Sequence, residues 1–236
     1  NRYIKEHTYI EQWEEGKSFY TRTTIITPKG DLTKLDRKDE WLNTVWHIEH
    51  LIKSDEDIDR YLSIPDDLQP VDTTRLKEQD EQLGEKGILL ISIEDPLCIA
   101  AELFEFGDFT VKAFTDKEMF MKIMDKAFEQ QMFFLEDMLQ KGAGPLFRIV
   151  GPEYATPPFL PIQYFHDLVC RYDSKMISII HDYGQYARIH CHGRIKDALP
   201  HIAEMGADAI DPVEAPPSGD IMLSDVKMLY GDKLCL

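Results

Sequence analysis

From Gly87 onward the chain alternates short apolar runs with amphipathic stretches, and this alternation constrains its fold more than any other feature. Residues 87–93 (GILLISI) form a continuous apolar run, the pattern of a strand buried on both faces. Thr115 and Asp116 cap a long amphipathic helix that runs to about Gln140 and closes at Lys141-Gly142. Residues 146–150 read as the next strand, 161–183 as mostly helix, 187–190 as a strand and 195–205 as a helix closed by Gly206. Residues 208–211 read as another strand, 224–230 as a helix closed by Gly231, and Leu234 as the opening of a further strand. Repeated strand–helix units imply a parallel sheet covered by helices. A closed (β/α)8 barrel and an open doubly wound sheet both fit. No GxGxxG follows a strand, which takes support from the dinucleotide-binding open sheet. About five barrel strands are legible where a closed barrel has eight. The expectation is an α/β TIM barrel, incomplete in this chain, with 1–236 as one domain: a β-rich and helical section over 1–85, then βα repeats over 86–236.

Within the first section, residues 18–26 (SFYTRTTII) read as a strand and 27–31 as a turn, with extended or mixed structure over 32–37 and 41–52. This predicts a β-meander or excursion with Trp41 and Trp46 as packing anchors. Ser54 before Asp55, Glu56 and Asp57 is an N-cap with first-turn acids, so a short helix runs to about Leu62. Pro65 and Pro70 mark a linker, and a second helix covers about 72–83. The chain opens at Asn1 in a charged, helical pattern and stops at Leu236 just inside a strand, so a longer protein is expected.

The formal charge of −17 would repel a phosphate backbone, which argues against a nucleic-acid partner. No run of 18 apolar residues occurs, so no membrane-spanning helix is predicted. Cys98, Cys170, Cys191 and Cys235 follow no CxxC spacing and read as reduced thiols of a cytoplasmic protein.

In parallel α/β folds, sites form at the carboxyl ends of the strands. That rule selects Glu94-Asp95, the stretch from Gly151 to Tyr154, the stretch from His190 to Gly193, and the stretch from Asp211 to Glu214. Side chains alternate along a strand, so His190 and His192 project together and Cys191 projects oppositely, as a wall residue. Zinc accepts imidazole and carboxylate ligands in a tetrahedral shell. His190 and His192 can supply two ligands, and Glu153 or Glu214 a third; two histidines hydrogen-bonded to rim acids without metal are the competing reading. Tyr154 and Tyr183 are pocket or packing aromatics. Arg148 lies inside a strand, where it needs an acidic partner or an anionic substrate group. Arg188 shares parity with the two histidines. His181 fits a helix C-terminus, and the Met- and Phe-rich stretch 118–138 reads as core packing.

The ordered set of these motifs resembles the uroporphyrinogen decarboxylase superfamily. It comprises Gly151-Pro152-Glu153 with its Pro-rich loop and Phe165 to Tyr172 leading into a helix. It continues with Ile189-His190-Cys191-His192-Gly193-Arg194, Gly206-Ala207-Asp208-Ala209-Ile210, Pro212-Val213-Glu214, and Tyr230-Gly231-Asp232-Lys233-Leu234-Cys235. Thr27-Pro28-Lys29-Gly30 and residues 46–57 look like the same family's middle section. The resemblance implies a (β/α)8 barrel. It is closer to the zinc- and corrinoid-dependent methyltransferase branch than to true uroporphyrinogen decarboxylases, whose arginine-rich motif is absent and whose Phe-Asp-Ser stretch is replaced here by Val150-Gly151-Pro152-Glu153. The branch motif is His-x-Cys-Gly; His190 matches its histidine and His192 stands in the cysteine position. The resemblance thus implies a metal-dependent methyltransferase, with zinc on His190, His192, Glu153 and Glu214. Glu153, Tyr154 and Arg148 are its candidate catalytic residues. A small-molecule substrate, a corrinoid supplied by a partner protein and a homodimer complete the expectation. The alternatives are a cofactor-free decarboxylase of a tetrapyrrole or related carboxylate, with Arg148 and Arg194 facing the pocket, and a non-catalytic binding barrel.

Overall fold

A computed structural model describes residues Asn1–Leu236. The chain divides into two compact units, one of Asn1–Gln69 with Ala100–Lys126, the other of Pro70–Ile99 with Ala127–Leu236.

The first unit opens with a short helix, α1 (Arg2–Glu6), followed by the antiparallel strands β1 (Thr8–Glu15), β2 (Ser18–Thr27), β3 (Gly30–Asp39) and β4 (Val45–Glu49) in the order β1-β2-β3-β4. This is the expected meander, with β1 as an added strand in the stretch that reads as helical. Thr8–Glu15 is exposed along almost its whole length, so burial writes no period of two into its sequence. The β2–β3 hairpin turns at Pro28-Lys29, where the Thr27 hydroxyl donates to the Gly30 carbonyl (2.7 Å) and accepts from the Lys29 N–H (3.2 Å). Ile25, Leu32 and Leu35 are buried, and helix α2 (Asp55–Leu62) packs on β3. Ser54 caps α2 as expected, accepting from the Asp57 N–H (3.3 Å). Trp41 and Trp46 do not anchor this core: they are 86% and 47% exposed. Trp41 sits in the β3–β4 loop at positive φ, and Trp46 faces outward on an edge strand.

The second unit begins with helix α3 (Thr74–Leu83) and strand β5 (Leu90–Glu94). Helix α4 (Pro96–Glu102) follows, then α5 (Phe106–Thr115) and α6 (Lys117–Gln140); α5 belongs to the first unit, and α4 and α6 each run from one unit into the other. Neither α4 nor α5 stands out in the sequence, because proline and glycine punctuate both starts. Strands β6 (Leu146–Val150), β7 (Tyr186–His190) and β8 (Ala209–Asp211) join β5 in a parallel sheet of order β5-β6-β7-β8, and Cys235 adds a single parallel bridge to Ala209. Sequential parallel order with helical crossovers is that of a (β/α)8 barrel segment, as the sequence predicts. Between the strands lie α7 (Arg171–Asp182) and α8 (Leu199–Glu204), and α9 (Leu223–Tyr230) follows β8.

One face of this sheet is sealed: Ile91, Ile93, Phe147, Ile149, Ala187, Ile189 and Ile210 are all buried. Against it lie Tyr172, Met176, Ile177 and Ile180 of α7, each almost wholly inaccessible. The opposite face carries Ser92, Arg148 and Arg188 in one register row, and Glu94, Val150, His190 and Asp211 in the next. β5 is therefore buried on one face only, not on both as its apolar run predicts, because Ser92 and Glu94 alternate with Ile91 and Ile93. Helix α8 is shorter than its predicted 195–205 span: the chain first makes a turn, with Ala198 N–H to the Ile195 carbonyl at 2.9 Å, before the regular helix opens at Leu199.

Candidate active site

The carboxyl ends of β6, β7 and β8 converge on Asp211. His190 and Asp211 are register partners at the ends of adjacent strands, so their side chains leave the sheet on one face. Asp211 Oδ2 lies 3.0 Å from His190 Nδ1. Its other oxygen accepts from Arg188 Nε and stands 3.9 Å from Arg148 Nε. Burial alone would raise the Asp211 pKa, but Arg188 and His190 outweigh it and hold the carboxyl below its usual range. Arg188 is held above its ordinary value by the same contact. Arg148 Nε is buried and has no hydrogen-bond partner, which leaves one guanidinium on this face with unused donor capacity.

The second imidazole repeats the arrangement one step outward. His192 Nδ1 lies 3.4 Å from Glu214 Oε2, and the same oxygen accepts from the Gly193 N–H at 2.7 Å. That backbone bond, with the neighbouring histidine, holds Glu214 below the usual carboxylate range. Gly193 has φ +80°, a conformation that suits glycine and lets its N–H turn toward Glu214. The two rings are 4.5 Å apart and nearly perpendicular. A carboxylate accepts only, so each Nδ1 is the donor in its pair, which leaves Nε2 as the acceptor of a neutral ring. An imidazole oriented through Nδ1 by a carboxylate is the usual outer support of a metal-binding histidine.

The predicted metal set is thereby divided. His190, His192 and Glu214 come together, with Glu214 engaged by Gly193 and His192. Glu153 sits in the 3₁₀ turn Pro152–Ala155 after β6, with Oε2 buried and without a hydrogen-bond partner, and its charge acts on Cys191 and Asp95. Neither imidazole takes it as a hydrogen-bond partner. Tyr154 lies on the same turn, its ring 6.4 Å from that of Phe159. Arg148 reaches the Asp211 cluster. Asp211, at the start of the strand-end stretch that runs to Glu214, meets His190 because it ends the strand after the one His190 ends.

A cavity of about 400 Å3 opens beside this cluster, lined by Thr156, Phe159, His192, Arg194, Glu214 and Ser218, with prolines from both flanking loops. Its polar groups are one imidazole, one guanidinium, one carboxylate and two hydroxyls. Such a lining suits a small polar molecule.

A parallel-sheet barrel segment with ionisable groups gathered at its strand ends defines an enzyme-like member of the (β/α)8 class. The uroporphyrinogen decarboxylase (URO-D) profile matches residues 44–220, and the chain belongs to that family. The match starts after β3, so β1 to β3 lie outside it. Among solved structures, the chain is similar to a methyltransferase from Methanosarcina mazei, with a TM-score of 0.52 and 16% identity over 71% of this chain and 49% of that one. At that identity the likeness is one of fold. The chain spans about half the length of that structure. No curated protein matches it. No helix is long and apolar enough to cross a membrane.

Proposed function

We propose that this chain carries the methyl-transfer site of a metal-dependent enzyme acting on a small molecule, with a thiol or a corrinoid on a partner protein as methyl carrier. The observation that supports this most is the doubled imidazole–carboxylate pairing, His190 with Asp211 and His192 with Glu214, which leaves two Nε2 atoms free on neighbouring rings. The donor set fits zinc: two imidazoles are supplied, both oriented, in a site whose charge is set by Asp211, Glu214, Arg148 and Arg188. The methyltransferase from Methanosarcina mazei, which shares the fold, lends the reaction class. When bound, the metal acts as a Lewis acid that lowers a thiol's pKa or polarises a methyl donor. The protein's own residues do the rest. Asp211 and Glu214 fix the ring tautomers, Arg194 receives an anionic substrate group at the cavity mouth, and Phe159 with the surrounding prolines excludes water from its wall.

The test is zinc content by elemental analysis of the wild-type protein and of His190→Ala and His192→Ala, with methyl transfer from methylcobalamin to a thiol assayed alongside. About one zinc per chain in the wild type, reduced in each variant, supports the reading. Wild-type protein that takes up no zinc overturns it.

The unpartnered Arg148 Nε favours a second reading, cofactor-free removal of a carboxyl group from a substrate bound against the Arg148–Arg188 row. Carbon dioxide release from uroporphyrinogen, abolished in Arg148→Met and unaffected by chelator, would decide for it.

A further inference from the structure

The first unit carries a second pair of imidazoles that neither reading uses. His47 lies on β4 and its register partner on β3 is Asp36, so the two side chains leave the sheet on one face. Asp36 Oδ1 lies 2.7 Å from His47 Nδ1, and Asp36 Oδ2 lies 2.9 Å from the Lys34 ammonium, so both carboxylate oxygens are engaged. His50 stands three residues on. Residues three apart on a straight strand point to opposite faces. Here β4 ends at Glu49 and the chain turns, with the Ile52 N–H donating to the Leu103 carbonyl at 2.9 Å. Lys53 fixes the turn, its ammonium donating to the His50 carbonyl at 3.0 Å and to the Thr33 carbonyl. His50 Nδ1 then lies 3.0 Å from the Glu102 carbonyl oxygen, and its ring centre lies 5.6 Å from that of His47.

A carboxylate and a backbone carbonyl both accept only, so each Nδ1 is the donor in its pair and each Nε2 is the acceptor of a neutral ring. An imidazole held at Nδ1 by a carboxylate or a carbonyl is the outer arrangement of a metal-binding histidine. The spacing agrees. With metal–nitrogen bonds of about 2 Å, two imidazoles on one tetrahedral ion have their ring centres roughly 5 Å apart. The His47 side chain is 56% exposed, so an ion reaches it from solvent.

We propose that His47 and His50 form a separate surface site for an imidazole-seeking divalent ion such as Zn2+ or Cu2+. Water fills the remaining positions, and Asp36 and the Glu102 carbonyl hold the two rings as positioning groups. Imidazole donors select these ions over Mg2+ and Ca2+, which take oxygen ligands. With two protein ligands only, the ion exchanges: the site fills when Zn2+ is titrated in and empties on dialysis.

The test is calorimetric titration of Zn2+ into the intact chain carrying His190→Ala and His192→Ala, which separates this site from the one proposed above. About one Zn2+ per chain is expected there, with affinity falling at least about 10-fold when His47→Ala or His50→Ala is added, the cost of losing even an outer support. No uptake by the His190→Ala/His192→Ala chain overturns the proposal, as does uptake unchanged by both further variants or displaced by an equal amount of Mg2+. Should the variants fail to fold by circular dichroism, nitrogen NMR of the wild-type histidine rings decides. The Nε2 signals of His47 and His50 are expected to shift together as Zn2+ is added. A shift of one alone, or of neither, overturns the pair.

Discussion

Gly151 is the position where a single added methyl tests the packing beneath the site most sharply. It ends β6 at φ +129°, and a Cβ built there would lie 2.2 Å from Asp95 Oδ1 and 2.5 Å from Cys98 Cβ. Real Cβ atoms do not approach closer than 3.0 Å, and neither neighbour can retreat. Asp95 is 0% exposed and holds the first turn of α4 through the Cys98 N–H, and Cys98 is itself buried. Holding alanine at this φ costs about 1–3 kcal/mol. Forcing the buried contact apart costs about 1–3 kcal/mol more. For a domain of this size the sum corresponds to a fall in Tm of roughly 5–20 °C. The control is Gly142→Ala, also at positive φ (+71°) but with no atom within 4 Å of its added Cβ, where only the backbone cost applies. Thermal unfolding of wild type, Gly151→Ala and Gly142→Ala at one pH measures the difference. A Gly151→Ala Tm equal to or above that of Gly142→Ala would refute the close packing of β6 on Asp95.

The remaining expectations concern the sheet and its rim. Phe147→Ala empties a wholly buried site in the middle of the sealed face and is expected to cost about 3–5 kcal/mol in denaturant unfolding. Asp211→Asn removes the acceptor that orients His190 and is expected to lower zinc affinity by about 10–100-fold in a competition titration, with native circular dichroism retained. Asp211 and Glu214 both have lowered pKa values, so the stability they contribute is present above the unfolded value of about 4 and is lost as pH falls through the folded ones. Unfolding midpoints measured from pH 6 down to 3 should therefore fall, and fall less steeply in Asp211→Asn.

What could be read from the residues divides along a physical line. The βα repeat was legible because Ile91, Ile93, Phe147, Ile149, Ala187, Ile189 and Ile210 must all be buried on one face, and burial writes itself into local pattern. The cap at Ser54 and the turn at Pro28-Lys29 were legible because each satisfies its own backbone within a few residues. β1 was not, since glutamates on an exposed strand and on an exposed helix look alike. Trp41 and Trp46 were misplaced because a large aromatic is taken for an anchor by size, whereas its burial depends on what another part of the chain places over it. The imidazoles and the acidic rim stretch were visible, but which carboxylate meets which ring was not, because Asp211 and Glu214 lie 21 and 22 residues away and meet them only through strand pairing and the rim loops.

That pairing also explains why one tetrapeptide borders two opposed environments. His190 closes β7 opposite Asp211, so its ring joins the open face where Arg148 and Arg188 set a positive background. His192, beyond the strand, turns out to Glu214 and the cavity. Cys191 between them is fully buried, and its thiol faces Glu153, Asp95 and Asp173. The backbone at this point separates a solvent-accessible cluster whose carboxylates are held ionised from an enclosed one whose carboxyls are driven toward protonation. A charge introduced at Cys191 would have to enter the second cluster, while one introduced at His192 would enter the first. Cys191→Asp should therefore unfold the second unit at neutral pH by adding a fourth buried acid. His192→Asp should fold, with its carboxylate beside Glu214 raising the pKa of both. Equal stability of the two variants by thermal unfolding would mean that the strand end does not divide the acids in this way.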